Sequence, residues 1–266
     1  MDNLIRMHRG RGVATLTLNR PEARNAFDLS MLTALHKALS EVAADDAIRC
    51  VLIQAEGENF SVGGDIRAFH QMQQEGGERS FAELLERAQA SVLLIREMPQ
   101  PVVVAVQGAA AGFGFSLALA ADFTVAAEHA IFVAGYAALG LPPDGGLSQT
   151  LRDAVGYKKA AEILMLGGVV SARDALALGL AQQVVPDDLL TPSALDLALR
   201  LANGSVNAIR RSKLLLASAS QHPLALLLEV EKEQFLESVA HPEFAEGIAA
   251  FAEKRPPQFH VQGEQA

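Results

Sequence analysis

The stretch from residue 101 to residue 122 constrains the fold of this chain more than any other. It opens with a run of valine and alanine bounded by Pro101 and Gly108. Apolar side chains at successive positions predict a strand that is buried on both faces. A turn containing Gly112 and Gly114 follows, and the run of leucine and alanine after it predicts a buried helix. This order of strand, glycine turn and helix start directs free backbone N–H groups towards a ligand oxygen.

Three other classes of structure use a stretch of this kind, and the residues argue against each. A membrane span needs about 20 apolar residues, but Gln107, Ser116 and three glycines interrupt this one. A dinucleotide-binding turn needs the pattern Gly-x-Gly-x-x-Gly, and after Gly112 and Gly114 the third position holds Leu117. A phosphate-binding loop needs Gly-Lys followed by Ser or Thr, which the stretch lacks. We therefore expect no membrane partner and neither of these nucleotide sites.

The composition narrows the function further. With 266 residues, the chain is long enough for one large domain, or for a domain with a small appendage. A net charge of −9 with 22 basic residues argues against a nucleic-acid partner. Cys50 is the only cysteine and the histidines have no metal-ligand spacing, so we expect neither a disulfide nor a metal site. Residues 1–20 carry charge throughout and show no signal peptide, which predicts a cytoplasmic enzyme.

The order of apolar patterns predicts an α/β protein. Residues 4–8 and 13–18 have the pattern of a hairpin, and short buried strands then alternate with loops and helices. The polar segment 70–78, rich in Gln, Glu and Gly, predicts a mobile lid. Residues 188–253 predict an almost wholly helical region. Composition and periodicity support the α/β class and do not decide how the strands are arranged.

Five segments, which follow one another along nearly the whole chain, resemble the crotonase superfamily of enoyl-CoA hydratases and isomerases. These segments are Asn19-Arg-Pro-Glu-Ala-Arg-Asn-Ala26, Phe60-Ser-Val-Gly-Gly-Asp-Ile66, Gly108-Ala-Ala-Ala-Gly112-Phe-Gly114-Phe-Ser-Leu-Ala-Leu-Ala-Ala-Asp122, Leu139-Gly-Leu-Pro-Pro-Asp144-Gly-Gly146 and Glu246-Gly-Ile-Ala-Ala-Phe-Ala-Glu-Lys-Arg255. The resemblance implies a crotonase-type spiral of ββα turns over residues 1–187, with a site for a CoA thioester. It also implies a helical C-terminal region over residues 188–266 that covers the site and mediates trimer contacts, in a homotrimer or homohexamer.

The resemblance further implies a pair of backbone donors for the thioester carbonyl. An acyl-CoA thioester reacts at its α-carbon when the carbonyl oxygen takes negative charge as an enolate, and two fixed N–H donors lower that barrier. By the motif match, these donors are the backbone N–H groups of Gly64 and Phe113. Many family members have glycine at the position of Phe113, and a phenyl ring there is expected to narrow the acyl pocket. The simpler alternative is that the glycines only relieve crowding in two turns.

The acidic residues depart from the pattern of the family's hydratases. These enzymes use two glutamates, and an alignment without gaps places Ser116 and Tyr136 at their positions, as residues that line the acyl pocket. Hydration needs one group to activate water and another to manage the proton, and Ser and Tyr do not readily replace both. Asp144 matches instead the acid/base of dienoyl-CoA isomerases and of the ring-forming isomerases of phenylacetate breakdown. Its simpler interpretation is a turn residue, since Pro-Asp-Gly-Gly is a good turn sequence.

Three segments are expected to hold the CoA part of the substrate, so no separate cofactor is implied. The candidate residues are Ala23 and Arg24 in the first loop, Val62, Asp65 and Ile66 in the second, and Phe251 and Lys254 in the last helix, which would come from a neighbouring subunit. Arg24 is equally well interpreted as a solvated surface charge. Asp65 is better interpreted as a residue that orders its loop or caps the next helix than as a catalytic acid.

Together these features predict an enoyl-CoA isomerase in which Asp144 moves a proton while Gly64 and Phe113 hold the enolate. An allylic isomerisation needs only one base, which removes a proton at one carbon and returns it at another. Hydration, with Asp144 or an ordered water compensating for the glutamates, is the alternative. Thioester hydrolysis or dehalogenation with Asp144 as nucleophile, and a catalytically silent acyl-CoA-binding subunit, also stay open.

Overall fold

The structure is a computed structural model that describes residues 4–75, 77–219 and 222–259. Within these ranges the chain forms nine strands and ten α-helices. The strands are β1 (Ile5–Gly10), β2 (Val13–Leu18), β3 (Cys50–Ala55), β4 (Val102–Val106), β5 (Ala109–Ala111), β6 (Phe123–Ala127), β7 (Ile131–Val133), β8 (Val169–Ser171) and β9 (Gln183–Val185). The helices are α1 (Leu29–Ala43), α2 (Ile66–Glu75), α3 (Glu78–Glu97), α4 (Phe113–Ala120), α5 (Leu147–Leu166), α6 (Ala172–Ala177), α7 (Leu190–Asn203), α8 (Val206–Ala219), α9 (Leu224–Val239) and α10 (Pro242–Glu253). The predicted α/β class and helical C-terminal region are confirmed.

The strands form two sheets, and the chain passes from one to the other at each turn. The larger sheet has the order β1-β2-β3-β4-β6-β9, antiparallel between β1 and β2 and parallel elsewhere. The smaller sheet has the order β5-β7-β8. Strands β4 and β6 thus lie in the larger sheet, while β5 and β7, which follow them in the chain, lie in the smaller one, and a helix comes after each pair. This is the spiral of ββα turns that the resemblance implies.

Single bridges continue the smaller sheet through the two earlier loops. Ser61 pairs with Ala110 of β5, and Phe27 pairs with Gly64. The segments that follow β2, β3 and β4 therefore lie side by side, although only the last is long enough to form a regular strand. This arrangement brings the loops after β2 and β3 against the glycine turn after β4, which is the part of the fold that positions the site.

Burial on all sides explains why β4 and α4 have no polar face. All five residues of β4 are buried, because β3 and β6 flank it and α7 packs on it. Seven of the eight residues of α4 are buried as well. Each fully buried valine of β4 contributes about 1.5–3 kcal/mol of transfer free energy. The core therefore fixes the glycine turn at both of its ends.

Residues 70–78, for which the sequence predicts a mobile lid, are mostly helical. The segment lies in α2 and α3 except for residue 77, which is in a turn, and residue 76, which lies outside the described ranges. The side chains of Gln71 and Glu75, one turn apart on α2, are 3.2 Å from each other. Such pairs stabilise an exposed helix by about 0.2–0.5 kcal/mol, and the mobility of this segment stays a prediction.

The C-terminal helices begin on the larger sheet itself. Helix α7 packs against β3, β4 and β6 and buries Ala194, Leu197 and Ala198, whereas α8 and α9 pack against each other. None of the described helices is long and apolar enough to cross a membrane. The division into a core over residues 1–187 and a covering region over residues 188–266 stays a prediction.

Candidate active site

The two glycine loops touch each other backbone to backbone. Gly63 has a φ of 88°, and a Cβ atom placed on it would lie 2.7 Å from the carbonyl oxygen of Ala111. The N–H of Ala111 donates to the carbonyl of Ser61 at 2.9 Å, and the N–H of Ser61 donates to the carbonyl of Ala109 at 3.0 Å. Only glycine fits at position 63, because both its conformation and the approach of the second loop exclude a side chain.

The candidate amide donors, those of Gly64 and Phe113, lie on these loops. Hydrogen bonds flank Gly64: the N–H of Phe27 donates to the carbonyl of Gly63 at 2.7 Å, and the N–H of Asp65 donates to the carbonyl of Phe27 at 2.9 Å. Phe113 is the first residue of α4, where a backbone N–H has no partner within the helix. Within the described ranges, neither amide donates a hydrogen bond. Both are therefore able to bind a ligand oxygen.

Aromatic rings pack beside both residues that carry these amides. Phe69 of α2 lies so close to Gly64 that an added Cβ would be 2.3 Å from its Cζ atom. The ring of Phe113 meets that of Phe27 edge to face, with 5.0 Å between centroids, and also packs beside Gly145. The Phe113 side chain is buried between these residues. An apolar surround of this kind strengthens any hydrogen bond that the amides make.

Three side chains from separate elements form a hydrogen-bonded group, which we term the Asp144 cluster. The hydroxyl of Tyr136 donates to Oδ1 of Asp144 at 2.6 Å. Oγ of Ser116 lies 2.9 Å from the Tyr136 hydroxyl and 3.0 Å from the backbone carbonyl oxygen of Asp144. Ser116 belongs to α4, Tyr136 follows β7 and Asp144 precedes α5. The structure thus brings together the candidate acid/base and both residues predicted to line its pocket.

Burial changes the acidity of both titratable groups in the Asp144 cluster. It raises the pKa of Asp144, and the hydrogen bond from Tyr136, which lowers that pKa, does not offset the effect. Burial also raises the pKa of Tyr136, as does the neighbouring charge of Asp144. Tyr136 therefore stays protonated and donates. Asp144 has the raised pKa of a carboxyl group that can both accept and return a proton.

Helix α4 connects the two halves of the site. Its first residue, Phe113, carries one free amide, and Ser116, about one turn later, belongs to the Asp144 cluster. A Cβ on Gly145 would lie 2.8 Å from Cβ of Ser116 and 3.1 Å from the ring of Phe113, so the loop of Asp144 is pressed onto the same helix. One turn of helix rises about 5.4 Å, so the free amide and the serine of the Asp144 cluster lie about one turn apart on one rigid element.

Asn25 locks the first loop onto the second. Its buried side chain donates to the carbonyl oxygens of Glu56 at 2.8 Å and Asn59 at 2.9 Å, and it accepts from the N–H of Arg20 at 2.9 Å. The neighbouring Arg24 has an exposed side chain, as either a phosphate contact or a solvated surface charge would. Sequence reasoning missed Asn25, although asparagine often bonds the backbone of a turn.

Asp65 orders the second loop through one ion pair and two backbone bonds. Its Oδ2 lies 2.9 Å from Nη2 of Arg20, and its Oδ1 accepts from the N–H groups of Arg67 at 3.0 Å and Ala68 at 3.3 Å. Arg20, which sequence reasoning also missed, pairs with Asp28 at 3.2 Å as well. Burial raises the pKa of Asp65, but these bonds outweigh it, so the pKa lies below its ordinary value. A carboxyl group kept ionised in this way suits capping of α2 rather than proton transfer.

The other candidate CoA contacts lie at or near the surface. Ala23 and Val62 are half-buried, and Ile66 is 53% exposed at the start of α2. Phe251 is 88% exposed, and Lys254, which follows the end of α10, is exposed too. Because both side chains are exposed, they are available to a ligand or to a neighbouring subunit.

One group of side chains among the described residues has the spacing of a metal site. Ligand atoms of Glu128, His129 and Asp187 lie within 4.8 Å of one another, and all three residues are exposed. The group lies after β6 and β9 and includes no residue of the glycine loops or of the Asp144 cluster. We therefore assign it no role in the candidate active site.

Comparison with known proteins finds relatives over nearly the whole chain. The family described as enoyl-CoA hydratase/isomerase matches residues 8–262. The chain is 35% identical over 260 residues to 1,2-epoxyphenylacetyl-CoA isomerase of Escherichia coli (strain K12), with 97% of this chain and 99% of that protein covered. It is 33% identical over 252 residues to trans-2-decenoyl-[acyl-carrier-protein] isomerase of Streptococcus mutans, with 93% and 94% covered.

A solved structure extends the comparison to the fold. The crystal structure of an enoyl-CoA hydratase from Polaromonas sp. JS666 matches with a TM-score of 0.92 at 38% sequence identity, and covers 96% of this chain and 99% of that chain. The similar proteins thus carry the names of isomerases and of hydratases alike.

Proposed function

We propose that this chain, which belongs to the enoyl-CoA hydratase/isomerase family, is an isomerase that shifts a carbon–carbon double bond in an acyl-CoA thioester. One observation supports this choice within the family. The one carboxyl group of the cluster, that of Asp144, accepts a hydrogen bond from Tyr136, and Tyr136 contacts Ser116 in turn. Ser116 and Tyr136, neither of them acidic, occupy the positions expected for the two hydratase glutamates. Two similar proteins that are named isomerases support the same choice.

In the proposed reaction, Asp144 acts as the only acid and base. Its carboxylate removes a proton from C2 of a 3-enoyl thioester, and negative charge develops on the thioester oxygen. The amides of Gly64 and Phe113, which donate no hydrogen bond within the described part of the chain, stabilise that oxyanion. The protonated carboxyl group then returns the proton at C4, which leaves the double bond between C2 and C3.

Hydration is the second candidate, because the similar solved structure is named an enoyl-CoA hydratase. That reaction needs a group to activate water and another to manage the proton. The pKa of Tyr136 is raised by burial, so Tyr136 is no base near neutral pH, and Ser116 is already bonded within the cluster. An ordered water would have to take the missing role. The cluster therefore favours the reaction that needs one base.

We also expect no cofactor apart from the CoA that forms part of the substrate. Arg24 of the first loop and Lys254 after α10 would supply cations for its phosphates, and the loop backbones would contact the adenine. Exposed apolar side chains on α9 and α10, among them Leu224, Phe235 and Phe251, support a homotrimer or homohexamer. In such an assembly α10 would reach the site of a neighbouring subunit.

The deciding experiment follows a 3-enoyl-CoA in D₂O with the wild-type protein and its Asp144→Asn variant. We expect conversion to the 2-enoyl ester with deuterium uptake, and a loss of about 10²–10⁴-fold in kcat for the variant, which keeps the shape of the residue without its basicity. Asp46→Asn removes an exposed carboxylate outside the site and should keep full activity. NMR reports the double-bond position, and mass spectrometry reports the label.

Two other outcomes have distinct meanings. Formation of a 3-hydroxyacyl-CoA from the 2-enoyl ester, abolished in Asp144→Asn, would replace isomerisation with hydration. If the ester binds but neither its double bond nor its label changes, the isomerase proposal is wrong. The chain would then be an acyl-CoA-binding protein, and Asp144 a turn residue.

A further inference from the structure

The two carboxylate oxygens of Asp144 have different surroundings. Oδ1 accepts the hydroxyl proton of Tyr136 at 2.6 Å. Oδ2 accepts no hydrogen bond from any residue that the structure describes. A short hydrogen bond to a charged oxygen is among the strongest that a side chain makes, so the carboxylate is held at one end and left reactive at the other.

Ser116 holds the tyrosine in turn. It is fully buried, and its Oγ lies 2.9 Å from the Tyr136 hydroxyl and 3.0 Å from the carbonyl oxygen of Asp144. Since the tyrosine proton is donated to Asp144, the single serine proton is directed at the tyrosine oxygen, at that carbonyl oxygen, or at the carbonyl oxygen of Gly112, which lies 3.4 Å away. The tyrosine oxygen is the nearest of the three acceptors, and a serine proton directed at it anchors the phenol to α4.

We propose that Tyr136, anchored by Ser116, is a positioning residue that fixes Oδ1 of Asp144, so that Oδ2 alone takes the proton from C2 and returns it to C4. This rests on the proposed function. In the first step, Oδ2 bonds the proton and the C2–H electron pair passes into the conjugated enolate. In the second step, the C3–C4 π pair forms the new C4–H bond with that proton. The C1–C2 π pair of the enolate moves to make the C2–C3 double bond, the oxyanion pair re-forms the thioester carbonyl, and Asp144 is again a carboxylate.

A tyrosine suits this role better than a second carboxyl group would. Two close carboxylates cannot both stay ionised, so one would compete for the substrate proton. The pKa of Tyr136 is raised by burial and by Asp144, so its proton stays on the phenol while Asp144 cycles. The site then has one proton carrier with a fixed orientation.

The effect of Tyr136 on the pKa of Asp144 makes the role of Tyr136 measurable. Burial raises the pKa of Asp144, and the hydrogen bond from Tyr136 lowers it. Tyr136 is the one titratable group, among the described residues, that acts on this carboxyl group; no Lys, Arg, His or other acid does so there. Loss of the phenol should therefore move the titration of Asp144 in one direction only, towards higher pH.

The test compares Tyr136→Phe with Tyr157→Phe. Phenylalanine keeps the ring and removes the hydroxyl, and Tyr157, the other tyrosine of the chain, is 65% exposed on α5. We expect the acidic limb of the kcat/KM profile to move about one pH unit towards alkaline in Tyr136→Phe, with about a tenfold loss on the acid side. Tyr157→Phe should keep the wild-type profile. A loss of folded protein that is equal at every pH lowers the whole profile without moving the limb. Circular dichroism over the same pH range identifies a variant that unfolds only on the acid side.

Ser116→Ala gives a second, independent variant. It removes the anchor and keeps the phenol, so we expect a shift in the same direction and of smaller size. Ser91→Ala is its matched control, because Ser91 is also fully buried on a helix but bonds the carbonyl of Arg87 in α3. An unchanged profile in both Tyr136→Phe and Ser116→Ala would overturn the proposal.

A measurement without substrate separates this proposal from the proposed function. The ¹³C carboxyl signal of Asp144, assigned by its absence from Asp144→Asn, is titrated in the wild type and in Tyr136→Phe. A higher midpoint in Tyr136→Phe supports the positioning role, and an equal midpoint overturns it, whatever reaction the protein performs. Full activity in Asp144→Asn would instead refute the isomerase mechanism, which is a different result.

Discussion

The two glycine loops and the Asp144 cluster both hold polar groups in an apolar surround, but they do so by different means. In the loops the polar groups are peptide N–H groups, and the backbone is fixed because Gly63 lies against Ala111 with no room for a side chain. In the cluster they are side chains of three elements, and hydrogen bonds join Ser116, Tyr136 and Asp144. The first region therefore depends on packing, and the second on electrostatics.

The two regions also treat their carboxyl groups in opposite ways. Hydrogen bonds and Arg20 outweigh burial at Asp65 and lower its pKa, whereas burial raises the pKa of Asp144. A lowered pKa means that folding stabilises the ionised form, and a raised pKa means that folding destabilises it. The loop carboxylate should therefore contribute to stability. The cluster carboxylate should reduce stability, as is common for groups that serve chemistry.

Gly63→Ala should have the largest effect of the changes that test this contrast. The new Cβ would lie 2.7 Å from the carbonyl oxygen of Ala111, at a φ of 88° that residues with a side chain rarely adopt. We expect the free energy of unfolding to fall by about 3 kcal/mol, from about 1–2 kcal/mol for the conformation and about 1–3 kcal/mol for the overpacking. Urea unfolding followed by circular dichroism measures the loss.

Gly140→Ala is the control that isolates the conformational contribution. Gly140 has a φ of 69°, but no atom lies within 4 Å of an added Cβ. It should therefore lose only the conformational part, about 1–2 kcal/mol. Equal losses in the two variants would show that the contact between the loops does not constrain Gly63.

The backbone-built region is the one that local sequence patterns predict well. The apolar run of β4 predicts a buried strand, and glycines such as Gly63 and Gly112 mark places where one backbone passes close to another. Each of these signals lies within a few residues of the feature that it predicts. Residues 70–78 show the limit of such signals, because their polar composition does not reveal the helices there. Helix α2 is stabilised by the pair of Gln71 and Glu75 and by the contact of Phe69 with Phe81 of α3.

The side-chain region could be predicted only in part. Ser116 and Tyr136 stand out in sequence as departures from the hydratase pattern, and Asp144 as a match to family isomerases. The 2.6 Å bond from Tyr136 to Asp144, however, spans a loop whose path no local pattern specifies. Asn25 escapes prediction for the same reason, since the carbonyls that it binds lie 31 and 34 positions away. Long-range hydrogen bonds are properties of the fold, and one sequence carries no direct record of them.

Asp65→Asn should have an intermediate effect with a defined pH dependence. We expect a loss of about 1–2 kcal/mol at pH 7, because hydrogen bonds to a charged group are replaced by weaker ones. The folded pKa of Asp65 lies below the ordinary 3.8, so its contribution is present above the unfolded pKa and is lost as pH falls through the folded pKa. Urea unfolding from pH 7 to the lowest pH at which both proteins fold should show the two stabilities converging. A constant difference would mean that the charge of Asp65 is not what orders the loop.

Asp144→Asn should have the smallest effect on stability, and with the opposite sign. The folded pKa of Asp144 lies above its ordinary value. The cost of its charge is therefore absent below the unfolded pKa, grows as pH rises towards the folded pKa, and is complete above it. Asparagine keeps an oxygen for the Tyr136 hydroxyl and carries no charge, so we expect the variant to be more stable at pH 7 by at most about 1 kcal/mol. Well below the ordinary pKa of 3.8, the two proteins should be equally stable.

This last variant tests the contrast because it joins two readouts in one substitution. If Asp144 serves chemistry, the variant gains stability in neutral urea unfolding while isomerase activity disappears. If Asp144 is a turn residue, the substitution should lower stability, as Asp65→Asn is expected to do, and activity should persist. The sign of one stability difference therefore distinguishes a carboxyl group that stabilises the fold from one that destabilises it and serves catalysis.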